Sequence, residues 1–396
     1  MKDQYNRYKK ALIGLEKPCA FIDLDAFEQN VRDIGNQAKG KQIRLASKSI
    51  RSVEMIKKIL ASSSIFKGIM CFTGEEAIYL YEQGLDDLLI AYPIWDEKTL
   101  RKICRLTTNG ARIVVMVDSL EHIEHLDAIA NSENGHFLLC LDIDLSNKIF
   151  NLHFGVYRSS IKSLDDLKKM SKHLKGKTTL LLDGLMGYEA QIAGVTDADP
   201  QAKAKGILIR ILKAYARKKV KKRRKQAVKY LRKHHPFLRF VNGGGTGSLH
   251  LTTKEKYVTE VTVGSGFYQS HLFDKYKAFR YQAAAMFAIE VTRQPEKDVY
   301  TCHGGGYVAS GSAGHDKLPE IYLPKGGSLI ANEGVGEVQT PVRYKGSVRL
   351  KMGDPIILRH SKAGELCERF THLHLIRGEE LVGKVTTYRG DGQCFL

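Results

Sequence analysis

One lysine in this chain has a side chain and a position that could make it reactive. Lys48 lies within residues 44–51, at the end of a strand-like run and just before a helix-like run over 52–60. Burial of such a lysine favours the neutral amine, which is the nucleophile that binds an aldehyde cofactor as a Schiff base. Most lysines at strand ends are simply solvated, so the surrounding elements must decide between the two interpretations.

Two glycine-rich segments could bind an anion. They span residues 242–248 (Asn-Gly-Gly-Gly-Thr-Gly-Ser) and 264–268 (Gly-Ser-Gly-Phe-Tyr). Glycine lets the backbone approach an anion closely, and a helix that follows presents free N–H groups to it. Either segment alone is more typical of a tight turn than of an anion site. Their joint position after two successive predicted strands makes the anion site the stronger interpretation.

Eight short apolar or β-branched runs alternate with segments of helical periodicity. The runs are residues 43–46, 69–72, 88–92, 113–118, 137–144, 178–183, 237–241 and 258–263. Near-continuous apolar strands that alternate with helices are typical of a parallel sheet covered on both faces. Eight such units over about 250 residues predict an α/β fold with a closed (β/α)8 TIM barrel, and an open sheet is the alternative.

The barrel prediction places the candidate residues on one rim. Active sites of such barrels lie at the carboxyl ends of the strands, and the last two loops often bind phosphate. Lys48 follows the first predicted strand, and the glycine-rich segments follow the seventh and eighth. The sequence therefore predicts a lysine and an anion site that face one another across the barrel mouth.

The sequence pattern changes near residue 282, where helical periodicity fades. Alternating strands, separated by turns with Gly and Pro, are predicted at 286–291, 299–301, 328–331, 347–350, 371–376 and 380–385. This pattern predicts an all-β domain. We therefore expect a barrel over residues 18–275 and a C-terminal β domain built from residues 1–17 and 276–396.

The formal net charge of +19 is concentrated in one segment. Residues 203–239 contain 16 of the 62 Lys and Arg residues and no Asp or Glu, which leaves 46 basic against 43 acidic residues elsewhere. Its helical periodicity favours an exposed helix with a solvated basic face over a site for nucleic acid or a membrane surface. No zinc-finger, RNP-type or helix-turn-helix pattern accompanies it.

Other features of the sequence bear on its location. No run approaches 18 apolar residues, the N-terminus lacks the hydrophobic core of a signal peptide, and the seven cysteines are scattered. We therefore expect no transmembrane helix, no export and reduced thiols, as in a cytoplasmic protein.

The chain resembles the fold-type III pyridoxal-phosphate enzymes, the alanine racemase-like barrel group. Within that group it is similar to the D-threonine aldolase and D-serine dehydratase branch, above all to bacterial proteins called amino acid deaminase/aldolase. The resemblance covers nearly the whole chain. It rests on residues 18–25, 45–49, 184–189, 242–248, 304–311, 359–370 and 387–392.

The resemblance implies roles for the matching residues. Lys48 would carry pyridoxal 5′-phosphate and move a proton at the substrate Cα. The phosphate would be held by backbone amides and one hydroxyl, supplied by Gly244, Gly245, Thr246, Gly264 and Ser265. Tyr188 falls where the family places a ring against the pyridine, although a core tyrosine is the alternative. Arg158 is a candidate for a contact with substrate or cofactor oxygen, or else a surface arginine.

Two departures from the family pattern bear on chemistry. Thr262 stands where alanine racemases place an arginine against the pyridine nitrogen, which makes simple racemisation a weaker expectation. The related dehydratases and aldolases bind a divalent metal such as zinc with a histidine and a residue two positions on. Here His360 is followed by Ser361 and Lys362, and a protonated lysine is a poor ligand. His360 with Cys367 is one candidate metal site; no metal is the other.

The resemblance also implies a reaction. We expect a lyase of D-amino acids, above all β-hydroxy ones, that catalyses β-elimination (deamination) or retro-aldol cleavage. A bound metal would polarise the β-hydroxyl; without one, Lys362 or Tyr307 is the candidate second acid or base. A racemase and a non-catalytic, cofactor-binding regulator are the alternatives. The family also implies a homodimer.

Overall fold

A computed structural model describes residues 2–149, 152–200, 202–311 and 314–396 of the chain. Its helices are α1 (Lys2–Ala11), α2 (Leu24–Gln37), α3 (Val53–Ser62), α4 (Gly74–Glu82), α5 (Glu97–Thr108), α6 (Leu120–Ser132), α7 (Leu164–Leu174), α8 (Ala190–Ala193), α9 (Lys203–His234), α10 (Leu249–Thr252), α11 (Ser265–Tyr268) and α12 (Ala363–Arg369). Its strands are β1 (Cys19–Asp23), β2 (Gln42–Ala46), β3 (Phe66–Cys71), β4 (Leu88–Ile90), β5 (Ile113–Val117), β6 (Phe137–Asp142), β7 (Asn147–Ile149), β8 (Leu152–Phe154), β9 (Leu180–Met186), β10 (Phe240–Gly243), β11 (Glu260–Val263), β12 (Ala285–Glu296), β13 (Val299–His303), β14 (Glu320–Leu323), β15 (Gly327–Leu329), β16 (Gln339–Tyr344), β17 (Pro355–Arg359), β18 (His372–Arg377) and β19 (Glu380–Thr386).

Eight parallel strands close into a barrel in the order β2-β3-β4-β5-β6-β9-β10-β11. Each of the eight strands predicted from the sequence is one of these, so the (β/α)8 prediction is confirmed. Strands such as β5 are buried along their whole length, because helices cover the outside and side chains fill the inside. The seventh strand begins three residues later than predicted, since Phe237 is 90% exposed and precedes the sheet.

A second, nine-stranded sheet forms the rest of the structure. Its main order is β15-β16-β13-β12-β1-β18-β19, and β17 joins β12 to β14. A mostly β domain after the barrel is therefore confirmed. The predicted strand at 347–350 is wrong. The backbone N–H of Val348 donates to the phenol oxygen of Tyr344 (2.9 Å), which closes a turn between β16 and β17 instead of extending a ladder.

The strand β1 lies in the second sheet although it falls within the 18–275 segment expected to form the barrel. Ala20 pairs antiparallel with Phe287 of β12 and parallel with Leu373 of β18. Helix α1 packs on the same sheet, where the Tyr8 hydroxyl donates to the Asp23 carboxylate (2.6 Å). The N-terminal segment therefore completes the centre of the sheet that the C-terminal segment surrounds.

Helix α9 carries the basic segment. Nearly all of its lysines are exposed, which agrees with the expected basic face. The apolar side chains of the helix differ in exposure. Val228 and Leu231 are buried, whereas Ile207, Leu208, Ile211 and Tyr215 are 45–62% exposed. Arg224 is an exception among the basic residues, because only 1% of its surface is exposed.

Within the described parts of the chain, no helix is both long and apolar enough to cross a bilayer, and this holds for α9 as well.

Candidate active site

A cavity of about 1010 Å³ opens at the carboxyl ends of the barrel strands, between the barrel and the second domain. Residues of both domains line it, among them Lys48, Tyr92, Arg158, Tyr188, Thr246 and Lys362. The structure therefore brings the predicted lysine and the predicted glycine-rich segments into one cavity.

Lys48 projects into this cavity from a single 3-10 turn, Ser47–Ser49, that directly follows β2. Its side chain is exposed to the cavity, so the expectation of partial burial is wrong. The position explains the exposure, because a side chain at the end of a barrel strand points along the open mouth. Its nearest polar side chain is Tyr92, whose hydroxyl lies 3.5 Å from the Lys48 Nζ.

Helix α12 of the second domain fixes the backbone around Lys48. A Cβ atom at Gly364 would overlap the Lys48 carbonyl oxygen, so only glycine permits this approach. Arg51 donates from its Nε to the same carbonyl (2.9 Å) and forms an ion pair with Glu368 of α12. The thiol of Cys367, also in α12, donates to the carbonyl of Ile50, two residues after Lys48 (3.4 Å). These contacts hold the turn that presents the lysine.

Two cations surround the hydroxyl of Tyr92. The Arg158 guanidinium lies 5.1 Å from the Tyr92 ring centre, and the Lys48 Nζ lies 6.0 Å from it. Burial raises the pKa of Tyr92, but the positive charges of Lys48 and Arg158 outweigh it and leave the pKa below its ordinary value. Arg158 is itself held by Asp142 (2.6 Å) and by the carbonyl of Ala91 (2.6 Å). It is therefore part of the cavity wall and not a surface arginine.

The first glycine-rich segment is held from behind by a buried carboxylate. Glu189 accepts hydrogen bonds from the Gly244 N–H (3.1 Å), from the Ser248 hydroxyl (2.9 Å) and from the Thr252 hydroxyl. Arg224 of α9 donates to the same carboxylate (2.7 Å). Burial raises the pKa of Glu189, but Arg224 and these donors outweigh it, so the pKa lies below the ordinary value and the group is charged.

Two backbone amides of this segment that were expected to bind phosphate are engaged within the protein. The N–H of Gly244 is engaged by Glu189, and that of Gly245 donates to the Ser248 hydroxyl (3.2 Å). Both amides therefore have partners within the protein in this structure, although both residues line the cavity.

The second glycine-rich segment lies beside the first. A Cβ atom at Gly264 would lie 2.9 Å from the Cβ of Ala46, so glycine allows β2 and this turn to approach. The hydroxyls of Ser265 and Ser49 are 3.2 Å apart, and the Gly266 N–H donates to the Thr246 hydroxyl (3.1 Å). Among the described residues, the amides of Thr246 and Ser265 have no hydrogen-bond acceptor. Thr246 and Ser265 thus bring two free amides to the cavity, and Thr246, Ser265 and Ser49 bring three hydroxyls.

Tyr188 and Thr262 complete the wall between these segments. The Tyr188 ring lies against Gly245, where a Cβ atom would be 3.3 Å from the ring carbon Cε2. Burial raises the pKa of Tyr188 to about 12, so the phenol is neutral. The Thr262 hydroxyl is paired with the Asn242 side-chain amide (2.8 Å). A neutral hydroxyl at this position carries no fixed positive charge.

The donors expected for a metal do not form a metal site. In the described chain, no group of three or more His, Cys, Asp and Glu side chains is arranged to hold a metal ion. Zinc ordinarily requires three or four protein ligands. The Cys367 thiol is engaged with Ile50, and His360 is buried with a pKa lowered to about 3, first by desolvation and then by the nearby Arg359. Neither residue lines the cavity.

Of the two candidates for a second acid or base, one lines the cavity and the other does not. Tyr307 does not line the cavity, because its ring packs against Phe287 (5.0 Å) and Phe370 (5.2 Å) in the second domain. Lys362 lines the cavity, and its Nζ donates to the carbonyl oxygen (2.8 Å) and the hydroxyl (3.0 Å) of Ser310. The structure thus offers Lys362 and not Tyr307 of the same chain.

Sequence reasoning missed three residues of the site. Tyr92 and Asp142 stand at the ends of predicted strands, and that position was the available signal. Arg224 had no such signal, because it stands within a run of nine residues of which eight are basic, and only the fold distinguishes the buried one.

The fold agrees with comparisons to known proteins. Residues 22–271 match the family described as alanine racemase, N-terminal domain. The 3-hydroxy-D-aspartate aldolase of Paracoccus denitrificans (strain Pd 1222) is 25% identical over 254 residues, which are 63% of this chain and 60% of that protein. The chain thus spans less than two thirds of that relative. The D-threo-3-hydroxyaspartate dehydratase of Delftia sp. (strain HT23) is 26% identical over 135 residues, 34% of this chain and 35% of that protein.

Solved structures show the same fold over nearly the whole length. The D-threonine aldolase from Filomicrobium marinum superposes with a TM-score of 0.80 at 18% identity and covers 96% of each chain. The D-threo-3-hydroxyaspartate dehydratase from Delftia sp. HT23 superposes with a TM-score of 0.78 at 18% identity, with 95% of this chain and 98% of that one. At this identity the likeness establishes the arrangement of the two domains.

Proposed function

The chain belongs to the alanine racemase N-terminal domain family, and on that premise we propose that it is a pyridoxal-phosphate-dependent lyase of D-β-hydroxy amino acids. One observation carries the proposal: a lysine amine and a pair of glycine-rich turns with free amides share one cavity at the mouth of a parallel barrel. The relatives named as a 3-hydroxy-D-aspartate aldolase and a D-threo-3-hydroxyaspartate dehydratase support the substrate class.

The residues of the cavity fit pyridoxal phosphate. Lys48 supplies the primary amine, and Thr246 and Ser265 supply two unengaged amides, together with their hydroxyls, for a phosphate. A glycine at 245 lets the Tyr188 ring lie against the backbone of the first glycine-rich turn, since a Cβ atom there would press against that ring. When bound through Lys48, the cofactor would withdraw electrons from the substrate Cα and so weaken the bonds to it.

The protein's own groups would divide the remaining work. The Lys48 amine holds or moves the proton at the substrate Cα, at a backbone position fixed by Gly364 and Arg51. Tyr92, with its pKa lowered by Lys48 and Arg158 against the effect of burial, can exchange a proton with the amine 3.5 Å away. Arg158, held by Asp142, orients an oxygen of the substrate or cofactor.

Thr262 favours a lyase over a racemase. Its hydroxyl is neutral and paired with Asn242, so it places no positive charge against the cofactor ring. The electron sink therefore differs from that of a site with an arginine there, and bond cleavage at Cβ is the expected outcome. Racemisation is the enzymatic alternative.

The proposal extends to assembly and location. A homodimer is expected by analogy with the family, and the exposed aromatic side chains Trp95 and Tyr157 offer apolar surface for it. A cytoplasmic location is supported by the scattered free cysteines.

The first experiment tests the cofactor and the reaction together. Purified protein is expected to bind pyridoxal phosphate with a visible absorbance band, and Lys48→Ala is expected to abolish that band. Lys351→Met, on an exposed lysine outside the cavity, is the matched control and keeps it. A screen of D-amino acids for ammonia, keto acid and aldehyde then distinguishes elimination from cleavage. A wild-type protein that binds no pyridoxal phosphate contradicts the proposal.

The same screen tests the non-catalytic alternative. A protein that carries the cofactor on Lys48 but converts no D-amino acid would be a binding or regulatory protein. Product formation from any D-β-hydroxy amino acid removes that alternative.

A further inference from the structure

We propose that the ammonium group of Lys362 binds the β-oxygen of the substrate and supplies there the positive charge that a divalent metal would otherwise supply. This inference rests on the proposed function and concerns how the same cavity handles the β-hydroxyl. It follows from three features of the described chain: the place of Lys362, the way its side chain is held, and the donor set around His360.

Lys362 is the basic residue of the 359–370 segment that lines the cavity. It immediately precedes α12, and two residues later Gly364 contacts the Lys48 carbonyl directly. Lys362 and Lys48 line the same cavity. The segment therefore sets the positions of both lysines through one rigid contact.

The Lys362 ammonium is held in place with one donor left over. It donates to the carbonyl oxygen and to the hydroxyl of Ser310, at 2.8 and 3.0 Å. The Ser310 backbone N–H in turn donates to Glu365 (2.7 Å), which fixes the loop that holds the lysine. An ammonium group has three N–H donors, so the third is available to an oxygen in the cavity.

The other cations of the second domain near this point are less suited to the role. Lys317, which also lines the cavity, is paired with the carboxylate of Asp316. Lys362, by contrast, donates to neutral acceptors of Ser310. The nearby Glu365 carboxylate is engaged by the Ser310 backbone N–H and, among the described residues, forms no ion pair with Lys362.

The donor set nearby is unsuited to a divalent metal. His360 is buried and does not line the cavity, the adjacent Ser361 hydroxyl donates to the Asp316 carbonyl (2.7 Å), and Cys367 serves the Lys48 turn. A lysine two positions after His360 would also repel a metal ion bound there. On this donor set a side chain and not a metal would supply charge at the β-oxygen, and Lys362 is the candidate that lines the cavity.

A cation at the β-oxygen would assist both candidate reactions. In β-elimination the Cα proton passes to Lys48, the electron pair left at Cα forms a Cα–Cβ double bond, and the Cβ–O bond breaks. Negative charge develops on the oxygen, which takes a proton from Lys362 and leaves as water. In retro-aldol cleavage the hydroxyl proton passes to water in the cavity, the O–H electron pair forms the carbonyl double bond, and the Cα–Cβ pair stays at Cα. Negative charge again develops on the oxygen as its proton leaves. A donor with full positive charge stabilises this oxygen in either case.

The first test uses the wild-type holoenzyme. After treatment with EDTA and desalting, metal content by mass spectrometry is expected to lie well below one ion per chain. Turnover of D-threonine and D-serine is expected to be unchanged by this treatment and by added Zn²⁺ or Mn²⁺. The melting temperature is also expected to be unchanged by either ion. Loss of turnover that a stoichiometric metal restores would overturn the inference.

The second test replaces the charge. Lys362→Met is expected to lower kcat on β-hydroxy substrates by about 10²-fold or more, the usual effect of removing one charge-stabilising donor. It should leave the cofactor absorbance and the exchange of the Cα proton of D-alanine in D2O unchanged, since alanine has no β-oxygen. Lys362→Arg, which keeps the charge, is expected to recover part of the turnover.

The outcomes separate this inference from the proposed function. Equal turnover by Lys362→Met and wild type, with Lys351→Met as the control on an exposed lysine outside the cavity, overturns the role of Lys362 alone. A wild-type protein that neither exchanges the Cα proton nor forms product overturns the proposed function, and this inference with it. The chelation result is independent of whether a variant folds.

Discussion

Glu76 places a carboxyl group in the interior directly behind the Lys48 turn. It accepts hydrogen bonds from the Phe72 N–H (2.7 Å) and the Tyr388 hydroxyl (2.9 Å), and its side chain is inaccessible to solvent. Burial raises its pKa to about 7, and the hydrogen bonds from neighbouring groups only partly oppose the shift. The group therefore changes charge near neutral pH within the wall of the site.

This shift predicts a specific dependence of stability on pH. A carboxyl whose pKa is raised on folding binds its proton more tightly in the folded chain than in the unfolded chain. Its contribution to the free energy of unfolding is therefore fully present below about pH 4.5 and is lost as the pH rises to about 7. The free energy of unfolding of the wild type should fall by up to about 3 kcal/mol over this range relative to Glu76→Gln. Urea denaturation at several pH values measures the difference.

The control lies on the same helix. Glu82→Gln, at an exposed position of α4, is expected to keep the wild-type dependence on pH. If the free energy of unfolding varied with pH in the same way for the wild type and Glu76→Gln, the expected titration of Glu76 would be contradicted.

At the scale of single residues, the sequence predicted those whose role follows from local order. Lys48, Thr246 and Ser265 each follow a barrel strand, and alternation of strands and helices was enough to place them on one rim. His360, Cys367 and Tyr307 are different, because what they touch depends on how the second domain packs. Cys367 contacts Ile50, which lies 317 positions earlier in the chain. No local pattern carries that information.

Helix α9 has two functions in the fold that its composition conceals. Its outer face presents lysines to solvent, while Arg224 enters the interior and bridges Glu189 and Glu255 (2.7 and 2.6 Å). Because Glu189 also holds the N–H of Gly244, the helix supports the first glycine-rich turn from behind.

Removal of Arg224 should therefore affect both stability and cofactor binding. Arg224→Met leaves two buried carboxylates without their counter-charge, and we expect a loss of about 3–5 kcal/mol in the free energy of unfolding. Pyridoxal phosphate should also dissociate more readily, because the turn proposed to hold its phosphate loses its support. Denaturant titration and the dissociation constant of the cofactor measure the two effects.

The neighbouring lysine provides the matched control. Lys225→Met removes the same charge one position later on the exposed face, and it should change neither quantity measurably. Equal effects of the two substitutions would show that the buried bridge has no special role.

At the scale of elements, period and apolar content predicted all eight barrel strands, because a parallel strand buried on both faces has a distinct sequence. The antiparallel sheet was harder. Its strands β14, β16 and β17 were not predicted, and 347–350 was predicted wrongly, since a half-exposed short strand and a turn have similar composition. The pairing of β1 with β12 and β18 was beyond any local pattern.

The whole molecule is joined through that first strand. β1 lies between β12 and β18, so the second sheet is continuous only when residues from both ends of the barrel sequence are present. Helix α12 then connects this sheet to the Lys48 turn. We therefore expect the two domains to unfold in one cooperative transition.

A fragment test follows from this arrangement. Residues 276–396 alone lack β1, and the fragment is expected to remain unfolded, with poor dispersion in its amide NMR spectrum. Addition of a peptide spanning residues 1–23, or its fusion to the end of the fragment, should restore dispersion, because it supplies the missing central strand. A fragment that folds without the peptide would contradict the structural importance of β1.

The central place of β1 also has a consequence for biosynthesis. The strand is among the first segments to leave the ribosome, yet Leu373, the partner of Ala20 in β18, is made more than 350 residues later. At about 5–20 residues per second, the strand waits for roughly tens of seconds with its pairing edges open. The apolar residues 19–22 are then an exposed aggregation hazard, and a nascent chain of this protein should depend on chaperones that shield this segment until translation reaches β18.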